Sequence, residues 1–531
     1  MKRVMSLNHI PLALRENKDN FIEYYDNEIY LKKSFQEIYF DLLRMLTLFK
    51  KRGLERGERV GIIGKNSYEY LIIDLAAVLG GYVSVAFTEK DFKNRIGSLI
   101  KDFELTLLFA DEVDEKNVGM ISISSINQLV QNVEEIDCGY MDIEPLNDED
   151  AFTIIFTSGT TGSPKGIEMR VKCVEEWIEN LSEKFEFYTD DKIIDFLPLS
   201  ISNARLFVYG AILMQFNLTL TTSEQLLRVL AVSNPTILQG VPYLFETMFF
   251  MTQEKIKSSF LKYMMYQCFI LLQRLLPQKT INKMKHKLFQ NLIMIFGGKM
   301  RLIFTGSASI NKDIIKFYND IGLRIYEAYG INEVGLVSIN SPDEYRIGSV
   351  GKPFQTKNIQ IAPNKEILIK SDYSWGQRYI NDEQGKGKHV FLRDGFIATG
   401  DMGYIDEDGF LYITGRIKEV LVLSNGDKIH PNRIEDELKG RKYIKQAVAF
   451  GDGRPFIVCV LVLSDQSASR SKIQREIDEM NKELPETLTV KDFVLIKDTF
   501  TVENGFLNST LKVNRSAVYE AYKREIEKLY E

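Results

Sequence analysis

The sequence predicts an α/β protein with parallel or mixed sheets in its larger part and a small α+β unit at its C-terminal end. Short apolar runs alternate with amphipathic stretches over roughly the first 400 residues, the pattern of strands each followed by a loop or helix. Beyond that point the texture changes to Gly- and Asp-rich segments between short β-like runs. At 531 residues the chain also exceeds what one hydrophobic core usually supports, so two or more domains are expected.

Taken in order, Arg59–Gly64 (RVGIIG) is the first apolar strand candidate, and Tyr68–Leu79 after it has helical spacing. Tyr82–Phe87 begins a second such unit. Phe152–Ser158 (FTIIFTS), Met300–Gly306 (MRLIFTG) and Leu323–Gly330 (LRIYEAYG) are further strands. Residues 397–429 (IATGDMGYIDEDGFLYITGRIKEVLVLSNGDKI) place turn residues between short β runs and suggest hairpins at a boundary. VAFGDGRPFIVCVLVL and the charged helical end Ser516–Glu531 complete the small unit.

Composition removes several classes of function. With 45% hydrophobic and 26% charged residues the chain reads as an ordinary soluble globular protein. Its 67 basic and 73 acidic residues nearly balance, so no global field favours nucleic acid. Cys138, Cys173, Cys268 and Cys459 are scattered and read as reduced thiols, and the four histidines show no HExxH spacing. The N-terminus has no sustained apolar stretch of the secretory kind, so a cytoplasmic location is expected. The best membrane candidate, Tyr263–Gln273, is about half the ~20 residues of a span. It reads first as a buried core helix. Peripheral membrane contact stays open, because Lys279, Lys283, Lys285 and Lys287 follow it.

The strongest chemical signal is TSGTTGSPKG, Thr157–Gly166. Its glycines let the backbone approach a ligand closely, its serines and threonines supply hydroxyls, and Lys165 supplies a positive charge. Consecutive N–H groups in such a loop form a concave anion site behind a strand. The spacing is not that of a Walker A loop, since the lysine follows proline.

This loop resembles the signature loop of the adenylate-forming superfamily, which includes acyl-CoA synthetases, adenylation domains of peptide synthetases and luciferases. Gly53–Phe87, Thr305–Ser309 (TGSAS), Tyr329–Glu333 (YGINE), Thr399–Asp401 (TGD), Gly415–Glu419 (GRIKE) and Asn504–Arg515 (NGFLNSTLKVNR) are similar to further family motifs, in the family's order. Leu423–Glu435 (LSNGDKIHPNRIE), GDGRPF and the last motif most resemble long-chain acyl-CoA synthetases.

The resemblance implies a large N-terminal domain, residues 1–415, with a β-barrel-like subdomain, and a small mobile domain, 416–531. It implies activation of a carboxylic acid by ATP, with Mg²⁺, to acyl-AMP, then transfer to coenzyme A. Thr157, Ser158, Gly159, Thr160, Thr161, Gly162 and Lys165 would hold the phosphates. Glu333 would ligate Mg²⁺, which suits a hard cation held by one carboxylate plus phosphates. Tyr329 and Gly330, with Ser307, Ala308 and Ser309, would bind adenine; Asp401 and Arg416 would bind ribose. Lys512 would bridge the attacking carboxylate and the α-phosphate, and Lys418 would be the hinge on which the small domain turns.

Three segments depart from the family pattern. Phe196–Arg205 (FLPLSISNAR) has Ile201 where long-chain synthetases carry a histidine. Asn332 stands where threonine is usual, and Asn508–Ser509 replace Thr-Pro before the lysine. The same stretch lacks the aspartate with which peptide-synthetase domains bind an α-amine, so a plain carboxylic acid is expected. Two alternatives stay open: loading of an acyl carrier protein or an amine, and a nucleotide-binding scaffold without catalysis.

Overall fold

In the computed structural model the described residues are all but 1–4, 27–28, 113–118, 134–142, 158–164, 258–259, 274, 278–279, 282–283, 286–287, 374, 377, 381, 383–384 and 509–510. Two large sheets dominate the first 380 residues or so. In the nine-stranded sheet, six central strands run parallel, in the order Ile325–Ile331, Leu302–Thr305, Ile237–Gly240, Lys192–Asp195, Asn217–Leu220, Phe21–Asp26. Antiparallel strands close both edges. The seven-stranded sheet has a parallel portion around Arg59–Ile63 and Val83–Phe87, extended by Ala151–Thr157 and its antiparallel return Lys165–Arg170.

Every strand expected from the sequence is present within two residues, and the helix Tyr68–Leu79 has the expected bounds. All but one of its residues are buried. It is apolar all round, as a helix inside a core must be. Its one acidic residue past the first turn, Asp74, is matched by Arg205 on helix Ser202–Leu213, Oδ1 to Nη1 at 2.8 Å. Ser84 and Tyr209 donate to the same carboxylate at 2.6 and 2.5 Å, and Arg205 donates to Thr153 Oγ1. This network ties the helix to the strand that leads into the phosphate loop.

Lys357–Ile361, Glu366–Ser371, Ile397–Ile405 and Leu411–Arg416 form a four-stranded antiparallel sheet in that order. Its outer strands do not pair with each other, so among the described residues it is an open sheet and not a closed barrel. The last sheet is three-stranded, Ile444–Phe450, Ile457–Leu463 and Val490–Ile496. The central IVCVLVL strand is buried throughout because both faces are covered: Cys459 and Leu461 pack with Ile434, Ile473 and Ile477, while Val458 and Val460 pack with Phe500, Val518 and Ile526.

One expectation is corrected. The apolar stretch read as a core helix is the helix Phe260–Leu272, which lies at the surface: Phe269 is buried, but Met264, Met265, Leu271 and Leu272 are exposed. Only one of its faces has protein to pack on. Among the described residues no helix is long and apolar enough to cross a membrane.

Candidate active site

The predicted site residues come from four separate segments that the sheets bring together. Thr157 ends one strand and Lys165 begins its return; the two are directly paired, so the loop between them is pinned at both ends. Ser158, Gly159, Thr160, Thr161 and Gly162 lie outside the described residues. The Lys165 ammonium sits 4.3 Å from the centroid of the Tyr379 ring. The Tyr379 hydroxyl donates to Glu333 Oε1 at 2.7 Å, and burial and this carboxylate together push the phenol's pKa up. Tyr379 is placed by register, since Tyr379–Ile380 pairs with the strand Lys165–Arg170. Just ahead of it Trp375 Nε1 is anchored on Glu176 Oε2 at 2.6 Å.

The second cluster is built on Asp401. Asp401 and Arg416 are register partners on adjacent antiparallel strands, with Arg416 Nε 2.8 Å from Asp401 Oδ1. Tyr329, on the last parallel strand of the large sheet, donates its hydroxyl to Asp401 Oδ2 at 2.8 Å. Both carboxylate oxygens are thus oriented, and each keeps lone-pair capacity for a further donor. A bulge between Tyr329 and Gly330 turns the strand here, and a Cβ at Gly330 would lie 2.5 Å from the Gly335 carbonyl oxygen, so the close backbone approach requires glycine.

Lys512 reaches this cluster from the far end of the chain. The turn carrying it is held by reciprocal bonds with Asn508: Lys512 N–H donates to Asn508 Oδ1, and Asn508 N–H to the Lys512 carbonyl, each at 2.9 Å. Asn508 thus replaces the usual threonine with a side chain that clamps the turn. Burial, and then repulsion by Arg416, lower the Lys512 pKa to about 8 against the opposing pull of Asp401 and Glu419.

Other predicted residues fall elsewhere. Ser307, at φ +73°, and Ala308 and Ser309 form an exposed turn after the strand Leu302–Thr305. Two residues on, Asn311 Nδ2 donates to the Asp436 backbone carbonyl, joining this segment to the C-terminal part. Lys418 is exposed in a 3₁₀ turn, Ile417–Glu419.

Ile201 is the uncapped N-cap of helix Ser202–Leu213. Beside it Ser202 Oγ bonds Asn332 Oδ1 at 3.1 Å, so the two departures Ile201 and Asn332 lie together. Asn203 Nδ2 donates to Gln239 Oε1 at 3.0 Å, which leaves the buried Gln239 Nε2 without a partner among the described residues. Sequence reasoning missed Tyr379 and Gln239. Neither lies in a motif, and each arrives through a strand pairing that no local pattern announces.

The Thr157–Lys165 pairing, the Tyr379–Glu333 bond and the Asp401–Arg416 pair together make an arrangement suited to the adenylate-forming class. The comparisons with known proteins agree. The family described as AMP-binding enzyme matches residues 15–374, and its C-terminal domain matches residues 418–531. The chain belongs to this family, and is by class an AMP-forming acid–thiol ligase. It is 27% identical over 545 residues to the long-chain-fatty-acid–CoA ligase FadD15 of Mycobacterium bovis, covering 90% of this chain and 89% of that one. It is 26% identical to the long-chain-fatty-acid–CoA ligase ACSBG2 of Xenopus laevis, covering 94% and 80%. The adenylation domain of a carboxylate reductase from Mycobacterium chelonae has the same fold, with a TM-score of 0.78 at 18% identity over 99% of this chain and 91% of that one.

Proposed function

We propose that the chain converts an aliphatic, fatty-acid-type carboxylic acid to acyl-AMP and passes the acyl group to coenzyme A. The observation that carries this is the Asp401 carboxylate, held on one oxygen by Arg416 and on the other by the Tyr329 hydroxyl, with Lys512 within reach of the charges of both Arg416 and Asp401. In the first half-reaction a carboxylate oxygen attacks the α-phosphorus of ATP and pyrophosphate leaves. In the second, a thiolate attacks the acyl carbonyl and AMP leaves.

Asp401 accepts the ribose hydroxyls, while Tyr329 and the Ser307–Ser309 turn flank the base. The Thr157–Lys165 loop holds the pyrophosphate end. Lys512 places a positive charge between the attacking carboxylate and the α-phosphate, where charge shifts as the reaction proceeds. Glu333, oriented by the Tyr379 hydroxyl, would hold a magnesium ion as a single hard ligand, and the ion would supply positive charge against the phosphates. Residues 416–531 form the unit that swings about Lys418 to admit the thiol, and residues 1–415 form the body. The aliphatic preference is supported by the fatty-acid–CoA ligases among its relatives, and the absence of an aspartate from Phe196–Arg205 supports an acid without an α-amine.

The experiment is mass spectrometry of reactions with ATP, Mg²⁺ and a panel of carboxylic acids, with and without coenzyme A. A fatty acyl-CoA product is expected. Acyl-AMP that persists in the presence of coenzyme A would instead indicate a carrier protein or amine acceptor, and no adenylate with any acid would return the scaffold reading.

A further inference from the structure

The helix Phe260–Leu272 is apolar on two opposite faces, and the protein covers only one. Inward, Phe269 is buried against Phe289, with ring centroids 5.2 Å apart, and Tyr266 packs edge-on to Phe289. Outward, Met264, Met265, Cys268, Leu271 and Leu272 are all exposed, and the stripe continues past the helix end to Leu275, 79% exposed. At about 100° per residue the five helical positions fall within an arc of roughly 120°, whose centre is about 100° from Phe269 and about 160° from Tyr266. A contiguous outward stripe of this kind marks a contact site, because water gains nothing from it.

Charge identifies what fits it. Residues 255–299 contain nine lysines and arginines and no aspartate or glutamate, in a chain whose net charge is −6. A second copy of the chain docking through the same face would bring two such positive segments together. An anionic lipid surface suits both features at once, since it offers an acyl boundary to the apolar stripe and negative headgroups to a segment of this composition.

We propose that the Phe260–Leu275 face docks on anionic bilayers, with Met264, Met265, Leu271, Leu272 and Leu275 inserted at the interface. Such docking is independent of which acid the site activates.

The test is co-sedimentation of the full chain with vesicles of phosphatidylcholine alone or containing about one-quarter phosphatidylglycerol. Binding to the anionic vesicles is expected, with a fall on raising salt to about 0.5 M. The double variant Leu271→Glu, Leu275→Glu should lose roughly tenfold or more of that binding. Because both positions are exposed, it should keep the wild-type thermal midpoint. Wild-type protein left in the supernatant, or the variant binding as well as wild type, would overturn the proposal. So would a wild-type dimer in solution that the double variant abolishes while vesicles bind neither protein; that result would assign the face to a second copy.

Discussion

The Tyr379 hydroxyl donates to Glu333 Oε1 at 2.7 Å while its ring lies against the Lys165 ammonium, so one side chain connects the cation at the end of the Thr157–Lys165 loop to the carboxylate proposed to hold magnesium. Neither partner is held by its own motif alone. Tyr379→Phe keeps the ring and removes only the hydroxyl that orients Glu333. Loss of a partner that orients a metal ligand typically costs about 10–100-fold in metal affinity or activity. The Mg²⁺ concentration giving half-maximal acid-dependent ATP–pyrophosphate exchange should therefore rise by about tenfold in this variant. An unchanged magnesium titration would show that the tyrosine only packs.

Lys512 supplies a pH dependence with a definite sign. Its pKa is depressed to about 8, so the ammonium is present below that pH and lost as pH rises through it. The value of kcat/KM for the adenylation half-reaction reports the free enzyme's groups. It should be level up to about neutrality and fall as pH rises through about 8. Lys512→Arg keeps its charge to beyond pH 12 or so, and should lose the alkaline limb even though its plateau is lower. The same limb in both proteins would assign it to another group.

The buried pair Asp74–Arg205 predicts a stability effect. Arg205 and Asp74 are 2% and 3% exposed, and the pair is bonded to the adjacent strands Val83–Phe87 and Ala151–Thr157 through Ser84 and Thr153. Arg205→Met strands a carboxylate in the core, a change that typically costs about 3–5 kcal/mol. Adding Asp74→Asn removes the stranded charge, so the double variant should recover a substantial part of the loss in urea denaturation. A double variant as unstable as the single would mean that packing, and not charge, sets the cost.

What the sequence made legible follows from locality. The helix Tyr68–Leu79 and the strand Arg59–Ile63 carry their own signal, since uninterrupted apolar runs report burial on both faces. The phosphate loop, Asp401 and Lys512 lie within motifs of distinctive composition. Illegible were relationships made by distant pairings: Phe21–Asp26 lies beside Asn217–Leu220, and Tyr379 reaches Glu333 only because its strand adds to Lys165–Arg170. The helix Phe260–Leu272 misled for a different reason. Apolar composition shows that a helix seeks cover, and does not show whether the cover belongs to the same chain.

The last prediction concerns the hinge. In the proposed reaction Lys512 serves adenylation with the C-terminal part as it sits here, Asn311 Nδ2 donating to the Asp436 carbonyl and Lys439 Nζ lying 3.3 Å from Glu246 Oε1. Lys439 and Glu246 are both largely buried, so leaving this arrangement separates a shielded ion pair and needs a backbone position that absorbs the rotation. Lys418 is exposed in a 3₁₀ turn immediately after Arg416, and proline's fixed φ near −65° suits such a turn while forbidding large excursions from it. Lys418→Pro should therefore retain acyl-AMP formation within about threefold and slow thioester formation from supplied acyl-AMP by about tenfold or more. Single-turnover measurement of each half-reaction distinguishes the cases. Equal loss of both would place the pivot elsewhere, whereas an unequal loss that Lys418→Ala does not reproduce would locate the effect in the backbone and not in the lysine's charge.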